Sequence, residues 1–224
     1  MQDDDWEKNC QSTYKFVTGL IYELYNRTSN ADVCLRLYVF AGQIADQGGF
    51  EDTAYDLFAQ AFSLYEDGIS DSRAQYQALM IIAGSLQQTR NFSTDNYDTL
   101  INKTAKLGTK LLQKPAQCRA VYQASHLWWA SEIPSRSESD EKDVSLQYML
   151  FMYRGSKIIQ LYYDGKRVLE CLQKALKVAD ACIDATVKVE LFIEILNQYQ
   201  YYKEKHNDAV RKLNRLRALT ITGY

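Results

Sequence analysis

Leu79, Ile82, Ala83 and Leu86 stand at i, i+3, i+4 and i+7, a spacing that lays four apolar side chains along one stripe of an α-helix. Val168, Leu172, Ala175, Leu176 and Ala179 form a second such stripe, and Glu170 and Lys174 are placed to pair on its wet side. Leu191, Phe192, Ile193, Ile195 and Leu196 are apolar nearly all round, so their helix must be covered on more than one face, as a middle layer would be. The breaks agree with this reading. Gly48-Gly49 and Gly68 end helices, Ser70 or Asp71 can cap the helix holding Leu79, Pro115 suits a first helical turn, and Asp184 can cap the helix that follows it. The pattern predicts helices over roughly 5–27, 31–47, 50–67, 71–90, 94–113, 115–130, 164–182, 185–204 and 207–219, with ends uncertain by ~2–4 residues.

About nine helices joined by short loops pack as antiparallel neighbours, and hairpins recurring every ~40–45 residues fall in the range of HEAT-type pairs. The fold class is therefore all-α, a single α-solenoid over residues 1–224, with a compact bundle as the structural alternative. Tetratricopeptide repeats fit less well, because no repeat signature recurs despite Ala54-x-x-x-Phe58. One segment breaks the pattern. Residues 131–143 are polar and contain Pro134, which predicts a loop. The aromatic stretch 146–163, split by Arg154-Gly155-Ser156, fits a β-hairpin, a helix or an unstructured insertion. Residues 131–163 are thus a loop or insertion within the solenoid.

With 46% hydrophobic and 24% charged residues, the chain can bury a sizeable core, and only 2 prolines interrupt it. A net charge of −2 argues against general nucleic-acid binding, which needs a concentrated basic surface. The charge is uneven, with 13 acids and 4 bases from Met1 to Asp71, but 6 bases and 2 acids from Lys203 to Tyr224. No secretory leader or membrane-spanning run is visible, and Cys10, Cys34, Cys118, Cys171 and Cys182 are widely spread. These features predict a cytoplasmic protein with free thiols. The sequons at Asn26, Asn91 and Asn102 are then chance matches.

Catalytic chemistry is hard to build from this chain. His126 and His206 lack cysteine or carboxylate company at ligand spacing, and no phosphate-binding glycine loop or nucleophile elbow is present. His126 reads as a hydrogen-bonded, half-buried imidazole, and His206 falls in a turn between two helices. The expectation is a protein without enzymatic activity, cofactor or metal, which works by holding other proteins. Its 17 tyrosines suit layered helices and also protein interfaces. Trp128, Trp129, Tyr199 and Tyr202 are large enough to anchor a partner, although core packing explains each of them better.

Four blocks carry a resemblance. They are Phe62-Ser63-Leu64-Tyr65-Glu66-Asp67-Gly68-Ile69-Ser70-Asp71-Ser72, His126-Leu127-Trp128-Trp129, Gly165-Lys166-Arg167-Val168-Leu169-Glu170-Cys171-Leu172, and Leu191-Phe192-Ile193-Glu194-Ile195-Leu196-Asn197. In order and approximate spacing they resemble the C-terminal part of the retromer scaffold family, vacuolar protein sorting-associated protein 35. The likeness spans about Ala54 to Val210. It implies a right-handed α-solenoid whose concave face wraps the phosphoesterase-fold subunit, vacuolar protein sorting-associated protein 29. Trp128, Tyr199 and Tyr202 are the candidate contacts on that face. It also implies a peripheral coat on the cytosolic face of endosomes that retrieves transmembrane cargo to the Golgi or plasma membrane. A homodimer at the scaffold end is a further implication, with Glu66 and Asp67 of one copy meeting Lys110 and Lys114 of the other. Two departures bear on that contact, because Gly68 stands where an acid is common and Gln113 where a lysine is common.

Overall fold

A computed structural model of the chain describes residues 4–129 and 164–221, with side chains described for 5–129 and 164–204. The helices are α1 (Asp4–Thr28), α2 (Ala31–Gln47), α3 (Glu51–Gly68), α4 (Ser72–Gln88), α5 (Thr94–Thr109), α6 (Lys114–Gln123), α7 (Gly165–Asp180) and α8 (Ala185–Ile221). A 3₁₀ turn, Ala124–Trp128, extends α6. Among the described residues there is no strand, and the chain is an all-α helical solenoid. The segment 131–163, expected as a loop or insertion, lies outside the described residues.

Short side chains with oxygen acceptors start several of the helices. Asp71 accepts the Ala74 N–H at 2.8 Å, Asp164 accepts that of Arg167 at 3.0 Å, and Asp184 accepts those of Thr186 and Val187. Pro115 sits in the first turn of α6, where its missing N–H is not needed. Several predicted ends move. α5 stops at Thr109 and not near residue 113, with Lys110 as its C-cap. The helix expected over 115–130 tightens into the 3₁₀ turn after Gln123. The predicted break between 204 and 207 is absent, because α8 runs unbroken through His206. Glu204-Lys205-His206-Asn207 is polar but contains neither Pro nor Gly, so nothing in it forces the backbone out of a helix.

The helices form two layers. α2, α4, α6 and α8 contact one another in succession, and α1, α3, α5 and α7 lie alongside them. Within the second layer, α3 meets α5 through a Glu66–Lys103 ion pair at 2.9 Å, and α5 meets α7 through Arg167–Asp98 at 2.7 Å. The core runs along the whole stack, from Leu35, Leu57, Phe58 and Phe62 through Ile82, Leu86 and Ile101 to Leu127 and Leu191. The stripe of Leu79, Ile82, Ala83 and Leu86 faces inward. On α7 the stripe holds for Val168, Leu172, Ala175 and Ala179, whereas Leu176 turns outward, and the expected Glu170–Lys174 pair is not closed.

Buried polar groups fasten successive hairpins. Asp46, at the end of α2 and 2% exposed, accepts the backbone N–H groups of Arg90 and Asn91, each at 2.9 Å. The Asn91 amide returns to the Asp46 carbonyl, and Glu51 accepts from Ser93 N–H and the Asn96 amide. The turn between α4 and α5 is thereby tied to the turn between α2 and α3. Further along, Glu194 of α8 receives a fork from Arg119 of α6, at 3.1 and 3.2 Å, and the Tyr122 hydroxyl at 3.0 Å.

Candidate interaction surfaces

α3 and α5 run in the same direction with α4 between them, so their C-terminal ends share one edge of the stack. That edge carries all four charged residues expected at a homodimer contact. Glu66 and Asp67 close α3, Lys110 caps α5, and Lys114 opens α6, all of them exposed. Two are already engaged within the chain. Glu66 holds Lys103, whose ammonium also lies 4.9 Å from the centre of the Phe62 ring, and Lys114 donates to Gln117 at 3.0 Å. Asp67 and Lys110 make no ion pair among the described residues. Leu112, which lies between the two lysines in the sequence, is 79% exposed, whereas its neighbour Leu111 is buried. Sequence reasoning missed Leu112, although two adjacent leucines in a tight turn cannot both point inward.

Gly68 has a packing reason to be glycine. A Cβ built there would lie 2.6 Å from the Ala31 Cβ and 3.3 Å from the Tyr25 hydroxyl, because the end of α3 presses on the start of α2. An acid at this position has no room without parting the two helices.

The three rings expected on a partner-binding face separate into two kinds. Trp128 and Tyr202 are 3% and 6% exposed, so the structure corrects both to core positions. Tyr202 shares a 2.9 Å hydrogen bond with the Ser125 hydroxyl and packs near Trp129 and His126. Burial raises its phenol well above the ordinary range. His126 pairs with the Gln198 amide at 2.8 Å, and burial lowers its imidazole pKa. Together these contacts dock the 3₁₀ turn on α8. Tyr199 alone of the three faces outward, at 44% exposure.

Tyr199 does not stand by itself. Val189, Phe192, Ile193 and Leu196 are exposed along the same helix, while Leu191 and Ile195 are buried on its other side. α8 is therefore apolar on two faces, as its sequence predicted, and one face remains open among the described residues. At the opposite end of the stack α1 and α2 frame an apolar groove of about 530 Å³, walled by residues such as Val17, Ile21, Leu37 and Phe40.

The five cysteines are free, with four buried and Cys10 half-buried, and burial pushes the Cys118 and Cys171 thiols up to about 11. Among the described residues no three His, Cys, Asp or Glu side chains gather as a metal would require. No described helix is long and apolar enough to cross a membrane.

Comparison with known proteins matches residues 1–220 to the family model described as vacuolar protein sorting-associated protein 35. The protein of that name from Schizosaccharomyces pombe is 43% identical over 206 residues, which cover 92% of this chain and 22% of that protein. Vacuolar protein sorting-associated protein 35A of Arabidopsis thaliana is 40% identical over 199 residues, covering 86% of this chain and 22% of the plant protein. The Dictyostelium discoideum protein is 25% identical over 210 residues, covering 94% and 23%. The chain thus spans 22–23% of the length of these relatives. With the helical stack, the family match and these identities in agreement, the chain belongs to the vacuolar protein sorting-associated protein 35 family.

Proposed function

We propose that this chain is a non-enzymatic scaffold segment of the retromer coat, which binds the phosphoesterase-fold subunit, vacuolar protein sorting-associated protein 29. The observation that carries this reading is the second apolar face of α8. Phe192, Ile193, Leu196 and Tyr199 stand exposed on a helix whose other side is already fully used by the core. Apolar area of that kind, on a rigid helix, is what a stable protein interface buries. A standard interface buries ~1,600 Å² in total, more than one helix face supplies, so the contact extends onto α7, where Leu169 and Leu176 are also exposed.

In this reading the segment is cytoplasmic and joins the cytosolic face of endosomes through the other coat components, in retrieval of transmembrane cargo. The edge holding Glu66, Asp67, Lys110 and Lys114 pairs two copies about a two-fold axis. Asp67 and Lys110 supply the free charges there, and Leu112 supplies a central apolar contact. Gly68 removes one acid from that contact, because the fold has no room for it beside Ala31. Size-exclusion chromatography of the chain mixed with the purified phosphoesterase-fold subunit tests the reading. Co-elution at micromolar concentration is expected, and separate elution would overturn it.

A further inference from the structure

Two apolar stripes lie side by side at the α1–α2 end of the stack. On α2, Val33, Leu37, Phe40 and Ile44 recur at i, i+4, i+7 and i+11, so they share one helix face, and all four are exposed. On α1, Phe16 and Leu20 stand one turn apart and are exposed as well. Between the two helices runs the groove of about 530 Å³, within the range of pockets that take a large side chain. Leu20, Leu37, Phe40 and Ile44 line it, whereas Phe16 stands outside it at 65% exposure. Among the described residues no charged side chain lines the groove. The nearby charges of Arg27 and Arg36 are already held within the chain, by Glu23 at 3.7 Å and Asp32 at 3.0 Å. A solenoid end that stays single in water needs a polar outer face, and this end lacks one.

We propose that this face pairs with the same face of a second copy of the chain about a two-fold axis, with Phe16 of each copy seated in the groove of the other. An isologous contact needs one surface that carries both the projection and the hollow, and this face carries both. At about 150–250 Å² for a full aromatic side chain and somewhat less for an aliphatic one, the six exposed residues present on the order of 500 Å² per copy. Two copies therefore remove about 1,000 Å² from water before any flanking residue is counted, the size at which specific interfaces begin. A neutral face with its neighbouring charges already paired selects neither an acidic nor a basic partner, so shape and apolar area decide the occupant. The open face of α8 in another molecule is also apolar. Joining two different faces leaves one of each open and continues into a filament, whereas two like faces close. The contact is separate from the edge holding Glu66, Asp67, Lys110 and Lys114, and it does not depend on the phosphoesterase-fold subunit.

The test is sedimentation velocity of the intact chain from ~1 to ~100 μM at ~1 M NaCl, where a Debye length of ~3 Å screens charge pairing. Reducing conditions keep Cys10, which lines the groove, from cross-linking two copies. A concentration-dependent dimer is expected. Phe16→Asp and Phe40→Asp each weaken it about a hundred-fold or more, because the two-fold axis buries two unpartnered carboxylates. Both positions are exposed, and a far-UV circular dichroism spectrum matching that of the native chain shows that each variant is folded. Ile183→Asp, the same change at a fully exposed apolar position on the turn between α7 and α8, leaves the dimer unchanged. The proposal is overturned if the native chain stays monomeric across this range, which would leave the groove to a different partner. It is overturned equally if the dimer survives either phenylalanine substitution, or if Ile183→Asp dissociates it as well. Growth of the native chain into larger polymers overturns it too, since that would place the α8 face of the next molecule on the groove.

Discussion

Replacing Gly68 by alanine sets two effects against each other, and the structure decides between them. Alanine in place of glycine in a helix ordinarily stabilises by ~0.5–1 kcal/mol, since the unfolded chain loses freedom. At Gly68 the new methyl carbon would lie 2.6 Å from the Ala31 Cβ. Carbon atoms pack at ~3.5–4.0 Å, so α2 and α3 must part by about 1 Å. Overpacking of this kind costs ~1–3 kcal/mol, which exceeds the propensity gain. Gly84 is the internal control. It lies within α4, exposed, with nothing within 4 Å of a built Cβ, so only the favourable effect remains there. At ~2–4 °C per kcal/mol for a chain of this size, Gly68→Ala lowers Tm by ~2–8 °C and Gly84→Ala raises it by ~1–4 °C. Far-UV circular dichroism against temperature, with urea midpoints as a second measure, reads both. A Gly68→Ala protein that is as stable as the native chain, or shifts of the same sign at both positions, would refute the close approach of α3 to α2.

Asp46→Ala leaves the Arg90 and Asn91 N–H groups without their buried acceptor, so a loss of ~2–5 kcal/mol is expected by urea denaturation. Substitution of the exposed Asp52 changes stability by less than ~0.5 kcal/mol in the same assay. Glu194→Ala removes the acceptor of both Arg119 and Tyr122, and it lowers Tm while leaving helical content below the transition unchanged. His126 gives a pH signature. Burial depresses its folded pKa below the unfolded value, so its contribution is present above the unfolded pKa and is lost as pH falls through the folded one. Thermal stability therefore declines between neutral and mildly acid pH, and His126→Gln makes that decline shallower.

How much of this was legible beforehand depends on the range of each signal. The stripe of Leu79, Ile82, Ala83 and Leu86, the caps at Asp71 and Asp184, and Pro115 in α6 are local, and the structure places them as the spacing demanded. The two-faced apolar character of α8 was legible for the same reason. Other features are decided by distant partners. The Asp46–Arg90 and Glu51–Ser93 ties cross more than forty residues, and Arg119 meets Glu194 across 75. The role of Gly68 depends on Ala31, and the burial of Trp128 and Tyr202 depends on the 3₁₀ turn, whose apolar spacing differs too little from that of an α-helix to be foreseen.

The scaffold reading is tested most directly by isothermal titration of the phosphoesterase-fold subunit into the native chain and into Phe192→Asp/Leu196→Asp. Both substitutions fall on the exposed face of α8 and leave Leu191 and Ile195 in the core. The account predicts a one-to-one complex with the native chain and affinity lower by about a hundred-fold or more in the variant, since a carboxylate buried in an apolar contact has no partner. Equal affinity in a variant that melts as the native chain does would contradict it.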